Sequence, residues 1–184
     1  MNNAWVLPST AEFGGISYRF NADFRDILQI IGYLNDTSKP EVVRWSIALE
    51  LFYNDPIPVK HQQSAMEYLA KFISYGETKA KPGPKLIDWE QDAQLIIGDV
   101  NKVAGREIRA TKFLHWWTFL SYFYGVGEGA LSSVVAIRNK KAKHKKLEKW
   151  EEEFYKEHKD LVDFKKPEKE EVIAEKEAIL KWLD

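Results

Sequence analysis

The sequence predicts a mainly α-helical fold: a multi-helix bundle with a small N-terminal β-hairpin and a charged C-terminal helical extension. Three observations carry this. Apolar residues recur three and four apart in six stretches between Phe24 and Ile137, which is the spacing of one helix face. Period-two alternation is confined to the N-terminus, around Gly14-Gly15. Turn-forming residues at Asn35 to Ser38, Asp55 to Pro58, Gly76, Gly105 and Gly125 to Gly129 separate the helical stretches.

The hairpin comes first. Thr10 to Phe13 and Ile16 to Phe20 flank Gly14-Gly15, whose tolerance of positive φ suits a tight turn. A lone hairpin is marginal, so it must dock, with Trp5 and Leu7 as anchors. Asn21 or Asp23 can cap a first helix carrying Phe24, Ile27, Leu28, Ile31 and Leu34. Pro40 suits the first turn of a second, with Val43, Trp45, Ile47, Leu49, Leu51 and Phe52. A third runs from Val59 to Tyr75, with Ala65, Met66, Leu69, Phe72 and Ile73 inward and Gly76 as its stop. Lys79 to Lys85 (Lys-Ala-Lys-Pro-Gly-Pro-Lys) reads as an exposed basic loop. Asp88 is expected to cap a fourth helix with Leu95, Ile96, Val100 and Val103, ended by Gly105. Ile108 to Tyr124 is apolar on nearly every side and predicts one long central helix. A sixth helix starts near Ala130 with Leu131, Val134, Val135 and Ile137. These segments predict one helical domain over residues 1–165. Residues 166–184 predict a separate charged helix, with Pro167 as its start and a thin seam of Val172, Ile173, Ile179, Leu180 and Leu183.

Composition narrows the chemistry. Lys plus Arg is 27 and Asp plus Glu is 28, a net charge of −1, so no overall basic coat is present for nucleic acid. The absence of cysteine excludes disulfides, thiolate metal sites and cysteine nucleophiles, and suits a reducing compartment. Met1-Asn2-Asn3 does not read as a secretory signal, and no run approaches the ~20 apolar residues of a membrane span.

Candidate sites are weak. His115 with Arg106, Glu107 and Arg109 and with Asp88 or Asp92 could form an acid–base group, but hydrogen bonding inside a buried helix explains them more simply. Asp88 and Asp92 are four apart and share a helix face, yet acids there also serve a helix N-terminus. Gly125-x-Gly127-x-Gly129 follows a helix rather than a strand and contains Glu128, so a sharp helix–helix turn fits better than a phosphate loop. No metal site, cofactor motif or catalytic residue is predicted. The strongest electrostatic feature is the run Arg138, Lys140, Lys141, Lys143, Lys145, Lys146, ending near Trp150. A solvated face pairing with Glu151 to Glu153 is its plain reading, and partner binding the functional one.

Several segments in order resemble a known family. They are Trp5-Val6-Leu7-Pro8, Gly14-Gly15-Ile16-Ser17-Tyr18, Asp23-Phe24-Arg25-Asp26-Ile27-Leu28, Leu51-Phe52-Tyr53 and Leu86-Ile87-Asp88-Trp89-Glu90-Gln91-Asp92. Asn101-Lys102-Val103-Ala104-Gly105, His115-Trp116-Trp117-Thr118-Phe119, Ile137-Arg138 and Lys145-Lys146-Leu147-Glu148-Lys149-Trp150-Glu151 complete the set. From Trp5 to Phe164 the chain resembles the bacteriophage gene-product-fifteen family of long-tailed phages and prophages of Gram-positive bacteria. The resemblance implies a small, mostly helical, non-catalytic tail-assembly chaperone. Its implied partners are the tape-measure and tail-tube proteins, with a homo-oligomer also open and no membrane. A structural virion component, such as a head–tail connector or neck protein, is the first alternative. A nucleic-acid-binding accessory protein using the basic run is the second.

Overall fold

The computed structural model describes residues 5–76 and 83–165. Its described residues are mainly helical, with one two-stranded antiparallel hairpin. The expected loop at Lys79 to Lys85 falls partly, and the expected helix over 166–184 wholly, outside the described residues. The chain groups into two compact units, Met1–Ser133 and Val134–Asp184.

In the first unit, β1 (Thr10–Phe13) pairs with β2 (Ile16–Arg19) in the register Thr10↔Arg19 and Phe13↔Ile16. Gly14 and Gly15 both have positive φ, as a two-residue hairpin turn of this twist requires. A side chain at Gly14 would also collide with His61, since a Cβ there would lie 2.8 Å from its Nε2. The hairpin docks on α3 (Val59–Ile73), where the Tyr18 hydroxyl meets His61 Nδ1 at 2.9 Å and Phe13 packs edge-on against Tyr68. Trp5 and Leu7 are not buried anchors, being 95% and 50% exposed. Backbone ties at the base do that work: the Phe20 amide donates to the Ser9 carbonyl, and the Pro8 carbonyl meets His115 Nε2 at 3.0 Å.

The extended strap Phe20 to Phe24 links three parts of the chain. On one side, Asn21 N donates to the Phe52 carbonyl (2.8 Å) and Asn54 N to that of Arg19 (3.0 Å), closing α2 (Glu41–Phe52) onto the hairpin. On the other, Phe24 N donates to the Leu114 carbonyl (3.0 Å) and Trp116 N to that of Ala22 (2.7 Å). From the strap grows α1 (Phe24–Asn35), capped by Asp23 as expected, and packed against α2. Phe20, Phe52 and Phe72 form an aromatic centre, with Phe20 and Phe52 stacked at 4.5 Å between centroids.

The helix expected over Ile108 to Tyr124 is broken. Ile108–Ala110 is a single 3₁₀ turn, residues 111–115 are non-helical, and α5 spans only Trp116–Tyr124. Tertiary pairing outweighs the apolar run: residues 114–116 hydrogen-bond to the strap, and Arg25 donates to the carbonyls of Ile108, Arg109 and Thr111. His115 then caps α5, with Nδ1 accepting from Trp117 N at 3.1 Å. Trp116 and Trp117 donate their indole N–H groups to the Ile73 and Phe72 carbonyls, closing the last turn of α3. Trp116, Phe119 and Leu120 are buried, whereas Tyr124 is 68% exposed, so α5 is central on one face only.

The fourth helix also starts later than expected. α4 spans Ala93–Ala104, and Asp88 instead caps the turn before it by accepting from Glu90 N and Gln91 N. α6 (Ala130–Ala142) crosses the boundary between the units, and the second unit continues with α7 (Lys149–Glu157) and the short α8 (Lys159–Val162). No helix among the described residues is long and apolar enough to cross a membrane.

Candidate functional site

The polar residues singled out by sequence are held by different partners rather than gathered into one site. His115 is buried, with Nδ1 accepting from Trp117 N and Nε2 facing the Pro8 carbonyl. That pair of contacts requires the neutral ring with its proton on Nε2. Burial pushes the His115 pKa down, only partly opposed by the bond to the Pro8 carbonyl. Glu107 caps the 3₁₀ turn and pairs with Arg109 at 2.7 Å, which holds its carboxyl down at about 2. Asp92 accepts from Asp88 N at 2.9 Å, so these two acids organise a turn. Burial raises the Asp88 pKa, but the Gln91 amide and Lys85 outweigh it and leave the carboxyl below its usual range. Among the described residues, no group of three or more His, Asp or Glu is arranged to hold a metal ion.

The glycine run does join two helices, α5 and α6. Asp99, buried on α4, occupies the position a bound anion would take. Its carboxylate accepts from Leu131 N at 3.2 Å and from Lys102 Nζ at 2.8 Å. A Cβ at Gly129 would fall 2.8 Å from Asp99 Oδ2, so glycine lets this carboxylate approach the start of α6.

Half of the basic run is consumed inside the second unit. Arg138 is buried, donates Nε to the Val162 carbonyl and Nη2 to the Leu161 carbonyl (2.7 Å each), and stacks on Phe164 at 4.1 Å. These bonds close the end of α8. Arg138 is therefore no part of an open basic surface. Lys140 pairs with the buried Glu151 (2.7 Å) and with Glu148 (3.1 Å), which raises its pKa. Lys141 reaches Asp163 and lies 3.7 Å over the Tyr155 ring. Lys143, Lys145 and Lys146 are exposed, as is Trp150, whose indole donates to Glu148 at 3.1 Å. The expected pairing with Glu151 is present, but it draws Lys140 inward instead of leaving it on a solvated face.

A further surface feature lies elsewhere. α2, the N-terminal half of α3 and the connection Tyr53 to Ile57 enclose a cleft of about 660 Å³. Val42, Trp45, Leu49, Pro56, Ile57 and Met66 supply its apolar lining, and Glu41, Glu50 and Asp55 its charged groups. Sequence reasoning missed it. The signal was in α2, where Val42, Val43, Trp45, Ile47, Leu49 and Leu51 cover more of the helix than one buried face requires. Val42 is 78% exposed.

No curated protein and no solved structure is significantly similar to this chain. A family model described as Bacteriophage Gp15 protein matches residues 5–164, which include the hairpin, the strap, the cleft and the Arg138 cluster. This protein belongs to the bacteriophage Gp15 family.

Proposed function

We propose that this phage protein is a non-catalytic tail-assembly chaperone, acting in the host cytoplasm on the tape-measure protein, with tail-tube subunits as further partners. The observation that carries the reading is the open apolar cleft between α2 and α3, within the span shared with a phage family. A chaperone of a long helical client needs apolar contact surface for holding and charged flanks for selectivity and rate. The cleft supplies both. Release as tube subunits arrive favours modest contacts, each burying less than the ~1,200–2,000 Å² of a standard stable complex. Engagement of Arg138, Lys140 and Lys141 within the second unit weakens the competing nucleic-acid reading.

The test is genetic and analytical. Deletion of the gene in its phage is expected to give filled heads without tails. Mass spectrometry of purified wild-type virions is expected not to find the protein. A fixed copy number per virion would instead establish a connector or neck component, and normal tails after deletion would refute both.

A further inference from the structure

We infer that the cleft between α2 and α3 docks a helical segment of a partner protein whose apolar stripe is flanked by Lys or Arg. The inference rests on the protein-binding reading above and specifies the chemistry of what is bound.

The lining divides by polarity. Trp45 and Met66 offer apolar surface, while Glu41, Glu50 and Asp55 are all exposed, and among the described residues no Lys, Arg or His lines the cleft. An apolar residue entering it leaves water, and a cation beside that residue meets a one-signed ring of carboxylates. Two helices border the space, and its volume suits a row of side chains spaced as on one face of a helix. The walls are fixed beforehand. The buried Tyr53 hydroxyl donates to the Ala65 carbonyl at 3.1 Å, tying the end of α2 to α3, and Asn54 N donates to the Arg19 carbonyl at 3.0 Å. Pre-set walls lower the ordering cost of binding.

Charge selects among occupants. The sequence of residues 166–184 also contains apolar residues, but with six acids against four lysines it shares the sign of the cleft. A second copy offering that segment is therefore disfavoured. Nucleic acid meets the same repulsion. A basic amphipathic helix of another protein is the occupant that satisfies both the apolar lining and the acidic rim.

The experiment uses the full-length chain and two synthetic helical peptides about five turns long, each with a leucine stripe, one flanked by lysines and one by glutamates. Amide NMR titration at physiological salt is expected to place the lysine peptide on α2, the start of α3 and residues 53–57. The glutamate peptide is expected to bind at least about tenfold more weakly. Glu41→Lys/Glu50→Lys/Asp55→Lys changes only exposed side chains and is expected to keep the circular dichroism spectrum while reversing the preference. Shifts confined to other surfaces, or equal binding of both peptides, would overturn the inference. A phage carrying the triple variant separates the two proposals. If deletion abolishes tails but the triple variant builds them normally, the cleft inference fails and the chaperone reading stands. If deletion leaves tails normal while the lysine peptide docks in the cleft with the stated preference, the chaperone reading fails alone.

Discussion

Asp23 shows how much one side chain can organise. Its Oδ1 accepts from Arg25 N at 3.0 Å to start α1, and its Oδ2 accepts from Leu114 N at 3.0 Å to hold a segment 91 residues away. It also pairs with Arg25 at 2.9 Å, aiming that guanidinium at the carbonyls of Ile108, Arg109 and Thr111. Asp23→Ala removes a helix cap (about 1 kcal/mol) and orphans a buried amide (about 1–3 kcal/mol), so a loss of about 2–4 kcal/mol is expected in urea denaturation. Near-neutral stability would show that the strap is held by packing alone. Arg138 has a comparable role in the second unit, which is why a residue counted with the basic run by sequence is a buried cap of α8.

At the scale of elements, α5 is short but its buried face is dense. Phe119 stacks on Phe24 at 4.9 Å and on Trp116 at 5.4 Å, and Leu120 lies beside it, only 3% exposed. Phe119→Ala is expected to cost about 3–5 kcal/mol and Leu120→Ala about 2–5 kcal/mol, read by thermal or chemical denaturation. Contacts between α6 and α7 give a sharper test of the basic run. Lys140→Ala leaves the buried Glu151 carboxylate without its cation, so amides of α7 are expected to exchange faster and the unfolding midpoint to fall. Lys143→Ala, Lys145→Ala and Lys146→Ala together change only exposed side chains and are expected to leave both readouts unchanged. Equal behaviour of the two variants would mean that the Lys140–Glu151 pair contributes nothing beyond a surface ion pair.

For the whole molecule, the shifted groups set how stability responds to acid. His115 has a folded pKa below its ordinary value of 6.5, so the unfolded chain binds more protons just below that pH. The His115 contribution is complete above pH 6.5 and is lost as pH falls from there through the lower folded pKa. Protonating Nδ1 would also remove its ability to accept from Trp117 N. Glu107 and Asp36, both held at about 2, and the lowered Asp88, Glu148 and Asp163 respond later, as pH falls below their ordinary values of 3.8 to 4.5. The midpoint for thermal unfolding is therefore expected to decline in two stages on acidification. In His115→Gln the first stage is expected to vanish while the second remains. A first stage of unchanged size in that variant would assign it to another group.

The sequence by itself determined the helical class, the hairpin, most element starts and stops, and the family resemblance. Those features are local: spacing of apolar residues, glycine at a turn, an acid before a helix, or several short motifs in order. Gly14-Gly15 must turn, and Asp23 can cap, whatever else the chain does. Tertiary structure decided what depended on partners far along the chain. The apolar run from Ile108 to Tyr124 has helical pattern throughout, yet its first half forms no α-helix because the strap and Arg25 take its backbone groups. Arg138 looks like its neighbours in the basic run, but the carbonyls of Leu161 and Val162 bury it. The cleft was legible only as surplus apolar residues on α2, because a concave surface needs two helices and a loop at fixed separation. Periodicity records which side of one element avoids water, whereas a binding surface is set by how several elements fail to cover one another.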